Sequence, residues 1–561
     1  MARRSSDDHS ERTCTVELPD ATVVTVAVDT PLQTLLAPFD QNADDPIVAA
    51  LLNGEALDLS APVEVGGALS AITLGTDAGI RCYRQSLCFL LAHAVIRADA
   101  SLHLVIGHSL GNGYYYSFTD AVTDQQTLDR VAAEMESIVK DDRPITRTIL
   151  SHRDAVHYFS AHGMDETVLL LRHRNDPRVC VHSCDGFLDV AHGPLVPRTG
   201  LLSRFALQKL DHGFVLRYPP HAAPQRLDEY RHSPVLYATY QEYKEWGRIL
   251  GVTSAGRLNQ TVVDGTVSSF VRVNEALHEK KIADIAAQIR DRSDRVRAVL
   301  IAGPSSSGKT TFTKKLALQL SAQGLLPILL SVDNYFVDRD RTPRDEHGEY
   351  DFESLRAIDV DQLNEHLVGI LAGRATEIPR YDFKSGSRTY RGDSITLSDT
   401  GVLLVEGIHC LNDALTERIP REQKFKVYIS ALTQLNLDDR NRISTTDNRL
   451  IRRMVRDHQF RGHSAETTLL MWPSVRRGER ISIFPFQDTA DVAFNSALDY
   501  EIGVLRKHAE PLLRRVTPDS VAYPEARRVL AFMDNFTNIP DKYVPEYSIL
   551  REFIGDSGFH Y

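Results

Sequence analysis

Residues 298–311, AVLIAGPSSSGKTT, have the residue types and the spacing of a phosphate-binding loop. An apolar run ends at Gly303, and Gly308-Lys309-Thr310 completes the pattern GxxxxGK[ST] before an amphipathic segment at 312–323. Small residues let consecutive backbone N–H groups curve around a polyphosphate, and the following helix adds the positive end of its dipole. The residues predicted to bind a nucleoside triphosphate, ATP, are Gly303, Ser305, Ser306, Ser307, Gly308, Lys309, Thr310 and Thr311.

Phosphoryl transfer also needs a group that orients and deprotonates the attacking hydroxyl, and oxygen ligands for Mg²⁺. Asp333 follows the apolar run 326–331, and Glu406 follows the apolar run 402–405. We expect Asp333 to be the base, while Glu406 and the Thr310 hydroxyl hold Mg²⁺ as the cofactor. The alternative for each carboxylate is a helix N-cap or a turn, but a phosphate loop at the same sheet edge favours the catalytic role.

Four arginines fall on one face of a predicted helix, at positions 449, 452, 453 and 456. A run of this kind is usually a solvated surface; opposite a phosphate loop it is expected to clamp the polyphosphate. The predicted catalytic residues are Asp333, Lys309, Arg449, Arg452 and Arg456.

The elements that must position these residues are buried strands at 298–302, 326–331, 402–405, 425–429 and 490–494. Nearly continuous apolar runs separated by helices predict an α/β domain with a parallel sheet covered on both faces. Ligands of such sheets lie at the carboxyl ends of the strands, which is where Asp333 and Glu406 stand.

Several ordered motifs within about 295–505 resemble the uridine kinase/phosphoribulokinase family of P-loop kinases. They are the phosphate loop, Asp333-Asn-Tyr-Phe, Tyr350-Asp-Phe, Arg380-Tyr-Asp-Phe, Glu406-Gly and Asp447-Asn-Arg-Leu-Ile-Arg-Arg. The resemblance implies that Asp333 is the base for a nucleoside 5′-hydroxyl and that the arginine helix closes on the phosphates. The substrate-binding residues that it implies are Asp333, Tyr335, Asp351, Tyr381, Phe383, Arg388 and Arg449.

Two departures from this family concern the choice of substrate. The loop 384–387 places Gly386 where the pyrimidine nucleoside kinases carry a base-reading histidine. The order Tyr335-Phe336 is also the reverse of the family's usual Phe-Tyr. The acceptor is therefore open, and a nucleoside other than uridine or cytidine, or a non-nucleoside alcohol, remains an alternative.

Length and composition indicate about three or four soluble domains in these 561 residues. The formal net charge of −11 argues against a general nucleic-acid binder. Six scattered cysteines favour a reducing compartment, and no apolar run is long enough for a membrane span. We expect a cytoplasmic homo-oligomer with a disordered tail at 1–12 and no membrane partner.

Short alternating strands between 13 and 75, with an Asn53-Gly54 turn, predict a small β-grasp domain that resembles the TGS domain of threonyl-tRNA synthetases. Residues 76–220 then resemble the α+β second additional (editing) domain of the threonyl- and alanyl-type synthetases. The motifs in this second stretch are Tyr83–Val95, Leu104–Phe118 and His192–Gly200.

The metal-binding pattern of that editing domain is missing here. The matching positions are Gln85, Phe89, Ala191 and Leu195, of which Phe89 and Leu195 cannot ligate a metal or move a proton. A strand at 179–184 places Cys180, His182 and Cys184 on one face, so a rebuilt metal site is conceivable; buried cysteines and a hydrogen-bonded histidine are favoured. We expect an editing-type fold that serves recognition, regulation or assembly.

Two further segments carry no chemistry that we can identify. Residues 221–294 are expected to be a helical connector with an aromatic-rich helix at 237–250 and a second helix at 275–292, N-capped by Asn274. Residues 506–561 are expected to dock on the kinase-like domain (295–505) or on the front domains.

The favoured hypothesis is an ATP-dependent, uridine kinase-like nucleoside kinase whose front half tunes it or couples it to another ligand. An RNA- or tRNA-binding regulatory protein with a P-loop switch is the alternative from another class. Editing of aminoacyl-tRNA is the least supported, because the metal ligands are replaced.

Overall fold

A computed structural model of the chain describes residues 12–119, 121–221, 223–344, 348, 350–382 and 385–560. Nearly all of the predicted N-terminal tail and Phe383 lie outside the described residues.

The first unit is a β-grasp sheet with the strand order β2-β1-β5-β3-β4, in which β1 and β5 run parallel. The hairpin turn falls at Asn53-Gly54, with φ values of 52° and 78° at these two residues, as a tight two-residue turn requires. The elements are β1 (Thr13–Glu17), β2 (Val23–Ala27), α1 (Leu32–Leu36), β3 (Ile47–Leu52), β4 (Glu55–Leu57) and β5 (Gly67–Thr73).

The second unit surrounds one long helix, α2, most of whose central side chains are buried. A four-stranded sheet of order β11-β12-β7-β6 and a three-stranded sheet of order β10-β9-β8 belong to it. Its elements are α2 (Asp77–Ala98), β6 (Leu104–Leu110), β7 (Gly113–Phe118), α3 (Gln125–Asp141), β8 (Thr146–Ser151), α4 (His152–Ala161), α5 (Asp165–Arg174), β9 (Arg178–Cys184), β10 (Phe187–Val190), β11 (Ala206–Leu210) and β12 (Gly213–Arg217).

Three helices form the connector: α6 (Pro234–Leu250), α7 (Ala255–Val263) and α8 (Val267–Arg290). The start predicted for α8 was wrong. Val267, Phe270 and Val271 are buried and extend its apolar stripe upstream, so the helix begins at Val267. Asn274 is interior to the helix and donates its amide to the Phe270 carbonyl at 3.0 Å, instead of capping it.

The kinase-like unit has the predicted parallel five-stranded sheet, with the order β14-β19-β13-β20-β21. Side chains of β13 alternate between two cores: Val299 and Ile301 face the layer with α8 and α9, whereas Leu300 faces the layer with α10. The elements are β13 (Ala298–Ala302), α9 (Lys309–Ala322), β14 (Leu326–Ser331), α10 (Val360–Leu371), β15 (Thr376–Glu377), β16 (Arg380–Asp382), β17 (Ser387–Thr389), β18 (Ser394–Ile395), β19 (Gly401–Glu406), β20 (Lys424–Ser430), α11 (Thr445–Arg461), α12 (Ala465–Ser482), β21 (Val492–Asn495) and α13 (Glu501–Leu513).

The C-terminal part adds α14 (Tyr523–Met533) and the single helical turn α15 (Arg551–Ile554). Arg528 of α14 forms ion pairs with Asp447 of α11 and Glu525 of its own helix, both at 2.7 Å. Arg81 of α2 contacts Glu525 at 3.3 Å. This part of the chain therefore joins the front half to the kinase-like unit. No described helix is both long and apolar enough to cross a membrane.

A buried hydrogen-bonded pair joins the β-grasp unit to the editing-like unit. Asp58 Oδ1 lies 2.9 Å from His182 Nε2 and accepts the Leu195 backbone N–H at 2.9 Å. Both side chains of the pair are almost fully buried. Removing the carboxylate would leave two buried donors without a partner.

We therefore expect Asp58→Ala to destabilise the protein by about 3 kcal/mol, because each buried donor left without an acceptor costs about 1–3 kcal/mol. Differential scanning calorimetry of the full chain should show a lower melting temperature. The control is Asp141→Ala, because Asp141 is exposed. Equal melting temperatures for the two variants would show that the Asp58 contact contributes nothing to stability.

Candidate active site

The phosphate loop lies between β13 and α9 and is shaped by close backbone contacts. Gly303 packs against the Ile429 carbonyl of β20, so that a side chain at 303 would overlap it. Gly308 has a φ of 81° and Ser306 a φ of 59°, both in the left-handed region. Lys309 donates from Nζ to the carbonyls of Gly303 and Pro304 at 2.9 and 3.3 Å. Its ammonium is thereby held over the loop that precedes it.

Thr310 and Glu406 meet at the edge of the sheet. The Thr310 hydroxyl donates to both carboxylate oxygens of Glu406, at 3.4 and 3.3 Å. A hydroxyl and a carboxylate are hard oxygen ligands of the kind that Mg²⁺ takes while keeping several waters. The two residues therefore fit the predicted cation site.

Asp333 lies close enough to Glu406 to affect the pKa of its carboxyl group. Burial and the neighbouring Asp333 carboxylate together raise the pKa of Glu406 to about 7, against the opposing charge of Lys309. The surrounding protein also raises the pKa of Asp333, against the opposing charges of Lys309 and Arg461. Carboxylates this close repel each other, and a bound cation would relieve the repulsion.

Glu353 is a further carboxylate of the cleft that the sequence analysis missed. Burial and the Glu479 carboxylate raise the pKa of Glu353 to about 7, and Arg453 and Lys309 oppose this shift. Its side chain packs on Gly478 of α12, where any Cβ would overlap Glu353. The available signal was its position directly after the Tyr350-Asp-Phe motif.

Two arginines of helix α11 donate hydrogen bonds to backbone carbonyls of the phosphate loop. Arg449 is buried in an ion pair with Glu479, at 2.5 and 2.7 Å, and donates to the Ser305 carbonyl at 3.2 Å. Arg452 has no exposed surface; it pairs with Glu501 of α13 and donates to the Ser306 carbonyl at 3.4 Å. Both arginines support the loop from within the core.

Arg453, Arg456 and Arg461 gather around one buried carboxylate, that of Asp457. Arg453 donates to the Ser305 hydroxyl at 2.7 Å, and all three contact the buried Asp457 at 3.0 to 3.6 Å. Asp457 thus holds these guanidinium groups together, as the flanking acidic residue of a phosphate clamp would.

The residues predicted on the acceptor side are only partly brought together. Tyr335 is fully buried and its hydroxyl lies 3.0 Å from His366 Nδ1, so it belongs to the core. Arg388 pairs with Asp359 at 2.9 Å, which ties β17 to α10. The Tyr381 ring stands 5.5 Å from that of Phe336, and burial raises the pKa of Tyr381.

Gly386 has a φ of 72°, and a Cβ at this position would meet the Arg339 side chain at 2.8 Å. A histidine could not replace it without moving Arg339. Nearby, a cavity of about 470 Å³ has a mixed polar and apolar lining that includes Asp351, Glu353, Ser354, His409, Asn412 and Gly478.

In the front half, Phe89 stands at one of the four positions where the metal ligands are missing, and its ring packs against other rings. The Phe89 ring lies 4.9 Å from Phe187 and 6.3 Å from His182. Arg147 donates to the Cys180 thiol at 3.1 Å. Among the described residues, no group of three or more His, Cys, Asp or Glu side chains could hold a metal ion. Phe89 therefore stands in a structural contact.

The kinase-like unit itself covers this region through its segment 432–443, between β20 and α11. Arg440 of the segment stacks 5.1 Å from the centre of the Phe187 ring. Burial raises the pKa of Asp189 to about 7, and the Arg440 guanidinium opposes that shift. The Asp438 carboxylate accepts from Thr167 at 3.2 Å, and the Asp439 carbonyl accepts the Ile106 N–H at 2.8 Å.

Sheet order, phosphate loop and the Thr310–Glu406 pair define a P-loop kinase fold. Residues 298–502 match the profile of the Phosphoribulokinase / Uridine kinase family, and this part of the chain is a domain of that family.

The N-terminal region is similar to threonine–tRNA ligases, as the front motifs predicted. The ligase of Haloarcula marismortui is 28% identical over 202 residues, which are 36% of this chain and 32% of the ligase. That of Carboxydothermus hydrogenoformans is 33% identical over 162 residues, 28% of this chain and 26% of the ligase. The chain thus spans about a third or less of the length of these relatives.

Among solved structures, one described as a possible uridine kinase from Bacillus stearothermophilus is 21% identical with a TM-score of 0.22, covering 37% of this chain and 100% of that one. A D-glycerate 3-kinase from Cryptococcus neoformans is 13% identical with a TM-score of 0.22, covering 49% of this chain and 88% of that one. The fold assignment depends on the sheet order and the phosphate loop, not on these alignments.

The raised pKa of Glu353 predicts a pH-dependent cost to stability. A carboxyl that binds its proton more tightly when folded destabilises the protein as pH rises from its ordinary value of 4.5 to about 7. Glu353→Gln should therefore melt higher than wild type at pH 8, by an amount on the order of 1 kcal/mol, and show little difference at pH 4.5.

The control is Glu365→Gln, since Glu365 is exposed on α10. Thermal melts of the three proteins at both pH values test the prediction. A difference between wild type and Glu353→Gln that does not change with pH would contradict it.

Proposed function

We propose that the chain is an ATP-dependent kinase that transfers the γ-phosphoryl group to an alcohol, with a nucleoside 5′-hydroxyl as the favoured acceptor. The observation that carries the proposal is the grouping of Lys309, Thr310, Glu406 and Asp333 at the carboxyl edge of one parallel sheet. These are the donor, cation and base positions of a phosphoryl-transfer site.

In this mechanism the Asp333 carboxylate accepts the proton of the acceptor hydroxyl as its oxygen bonds to the γ-phosphorus. The bond from that phosphorus to the β–γ bridging oxygen breaks, and ADP leaves with the electron pair. Lys309 neutralises charge on the β- and γ-phosphates. Arg453 and Arg461 add positive charge beside the site, where they act on Glu353 and Asp333 respectively, and Arg456 joins them through Asp457. Thr310 and Glu406 would hold Mg²⁺, which would supply further charge neutralisation.

The acceptor side supports a neutral, polyhydroxylated molecule. Asp351 and Glu353 line the cavity, and carboxylates accept hydrogen bonds from hydroxyl groups while repelling anions. A nucleoside would be held through its sugar, with the Tyr381 ring beside the base. Gly386 supplies no base-reading side chain, so a non-nucleoside alcohol remains the alternative acceptor.

For the front half, the contacts support a docking or regulatory module without editing chemistry. Polar groups of segment 432–443 form hydrogen bonds with the front half. The segment then leads directly into the arginine helix α11. The acidic net charge and this coverage count against the RNA- or tRNA-binding alternative. The six cysteines are unbonded, which suits a cytoplasmic location.

The test is release of ADP from Mg-ATP in the presence of a panel of nucleosides and sugar alcohols. Asp333→Asn should lower acceptor-stimulated turnover by about 10²–10⁴-fold, because general-base catalysis contributes about that much. The affinity for Mg-ATP, measured by calorimetry, should change little.

The matched control is Asp340→Asn, an exposed carboxylate seven positions further along the same connection. The kinase proposal would be refuted if no acceptor stimulated turnover. It would also be refuted if Asp333→Asn and Asp340→Asn turned over equally fast. Binding of tRNA in a gel-shift assay without such turnover would favour the regulatory alternative.

A further inference from the structure

The C-terminal segment 544–560 lies on the first turn of the phosphate-loop helix α9. Glu552 Oε2 accepts the Thr311 hydroxyl at 2.5 Å and the Thr311 backbone N–H at 3.3 Å. Thr311 directly follows the phosphate-binding motif, and its N–H in the first turn of α9 is one of the donors expected to bind phosphate. A carboxylate of the chain itself thus occupies an anion position of the ATP site.

Two neighbouring residues of the segment pack against the phosphate loop and against the arginine helix α11. Ile549 packs on Gly308, where a Cβ would lie 2.5 Å from its Cγ2 atom. Phe553 is fully buried, and the Arg452 guanidinium lies 5.0 Å from the centre of its ring.

The segment is also held from the outer side of α9. Lys315 donates to the Tyr547 carbonyl at 3.0 Å, and Lys314 donates to the His560 carbonyl. Its buried apolar side chains, among them Ile549, Leu550 and Phe553, favour the docked position when no ligand competes.

A second carboxylate acts on the same loop in a different way. Glu479 of α12 accepts the Ser305 backbone N–H at 2.9 Å while held by Arg449 in a buried, two-bonded ion pair. Glu479 belongs to the 18-residue helix α12, whereas Glu552 belongs to the single turn α15. Of the two, Glu552 is therefore the carboxylate that we expect a nucleotide to displace.

We propose that residues 544–560 form an autoinhibitory latch, in which the Glu552 carboxylate takes the place of a nucleotide phosphate at the start of α9. ATP and the latch then compete for the start of α9, and nucleotide binding releases the segment. The inference rests on the nucleotide-binding part of the proposed function and is independent of the acceptor.

The first test measures the binding of a fluorescent ATP analogue with Mg²⁺ to the full chain. Glu552→Gln removes the charge at nearly constant volume and Glu552→Ala removes the carboxylate altogether, so each should tighten binding about tenfold. Asp556→Asn is the matched control on the same segment, because the Asp556 side chain is 96% exposed; its affinity should equal that of wild type.

The second test is hydrogen–deuterium exchange of wild type with and without a non-hydrolysable ATP analogue. The latch predicts faster exchange in 544–560 when the nucleotide is bound. Unchanged or slower exchange, or variants that bind no more tightly than wild type, would overturn it and would make the segment a fixed wall of the site.

Two failures can be told apart. If wild type and variants bind nucleotide equally well, only the latch is wrong. If none of them binds nucleotide, the donor site of the proposed function is wrong and the latch with it.

Discussion

The phosphate loop places several backbone N–H donors around one small volume, and such donors are costly to leave without an anion. Much of the architecture answers this constraint. The neighbouring strand β20 fixes Gly303, Arg449 and Arg452 support the loop carbonyls, and Glu479 and Glu552 supply negative charge to its N–H groups. Two of these N–H donors, those of Ser305 and Thr311, are thus satisfied by carboxylates from α12 and from the C-terminal part.

The donor side of the site was predictable because its signals are local. The spacing from Gly303 to Thr310 specifies the loop, and the ends of parallel strands at one sheet edge bring Asp333 and Glu406 towards it. Glu479 and Glu552 were not predictable in the same way, since nothing in their local sequence reveals that α12 and α15 return to the loop. Their positions depend on tertiary packing alone.

The arginine helix shows the limit of a periodic pattern. Periodicity identified a common face, but Arg449 and Arg452 turned out to be buried beneath the loop. A helix wheel does not state what lies opposite each residue. Tyr335 is a similar case: the motif placed it beside Asp333, whereas the short turn after β14 directs its ring into the core.

Hydrogen bonds from segment 432–443 tie the kinase-like unit to the front half, so the two are not independent modules. Its Asn436 side chain donates to the Ile106 carbonyl at 2.7 Å, and its Asp439 carbonyl accepts the Ile106 N–H. A kinase-like unit cut away from the front half would expose these groups and Arg440 together. The front half could therefore not be exchanged for an unrelated partner domain unless the sequence of segment 432–443 changed as well. We expect the two halves to diverge in sequence as a single unit.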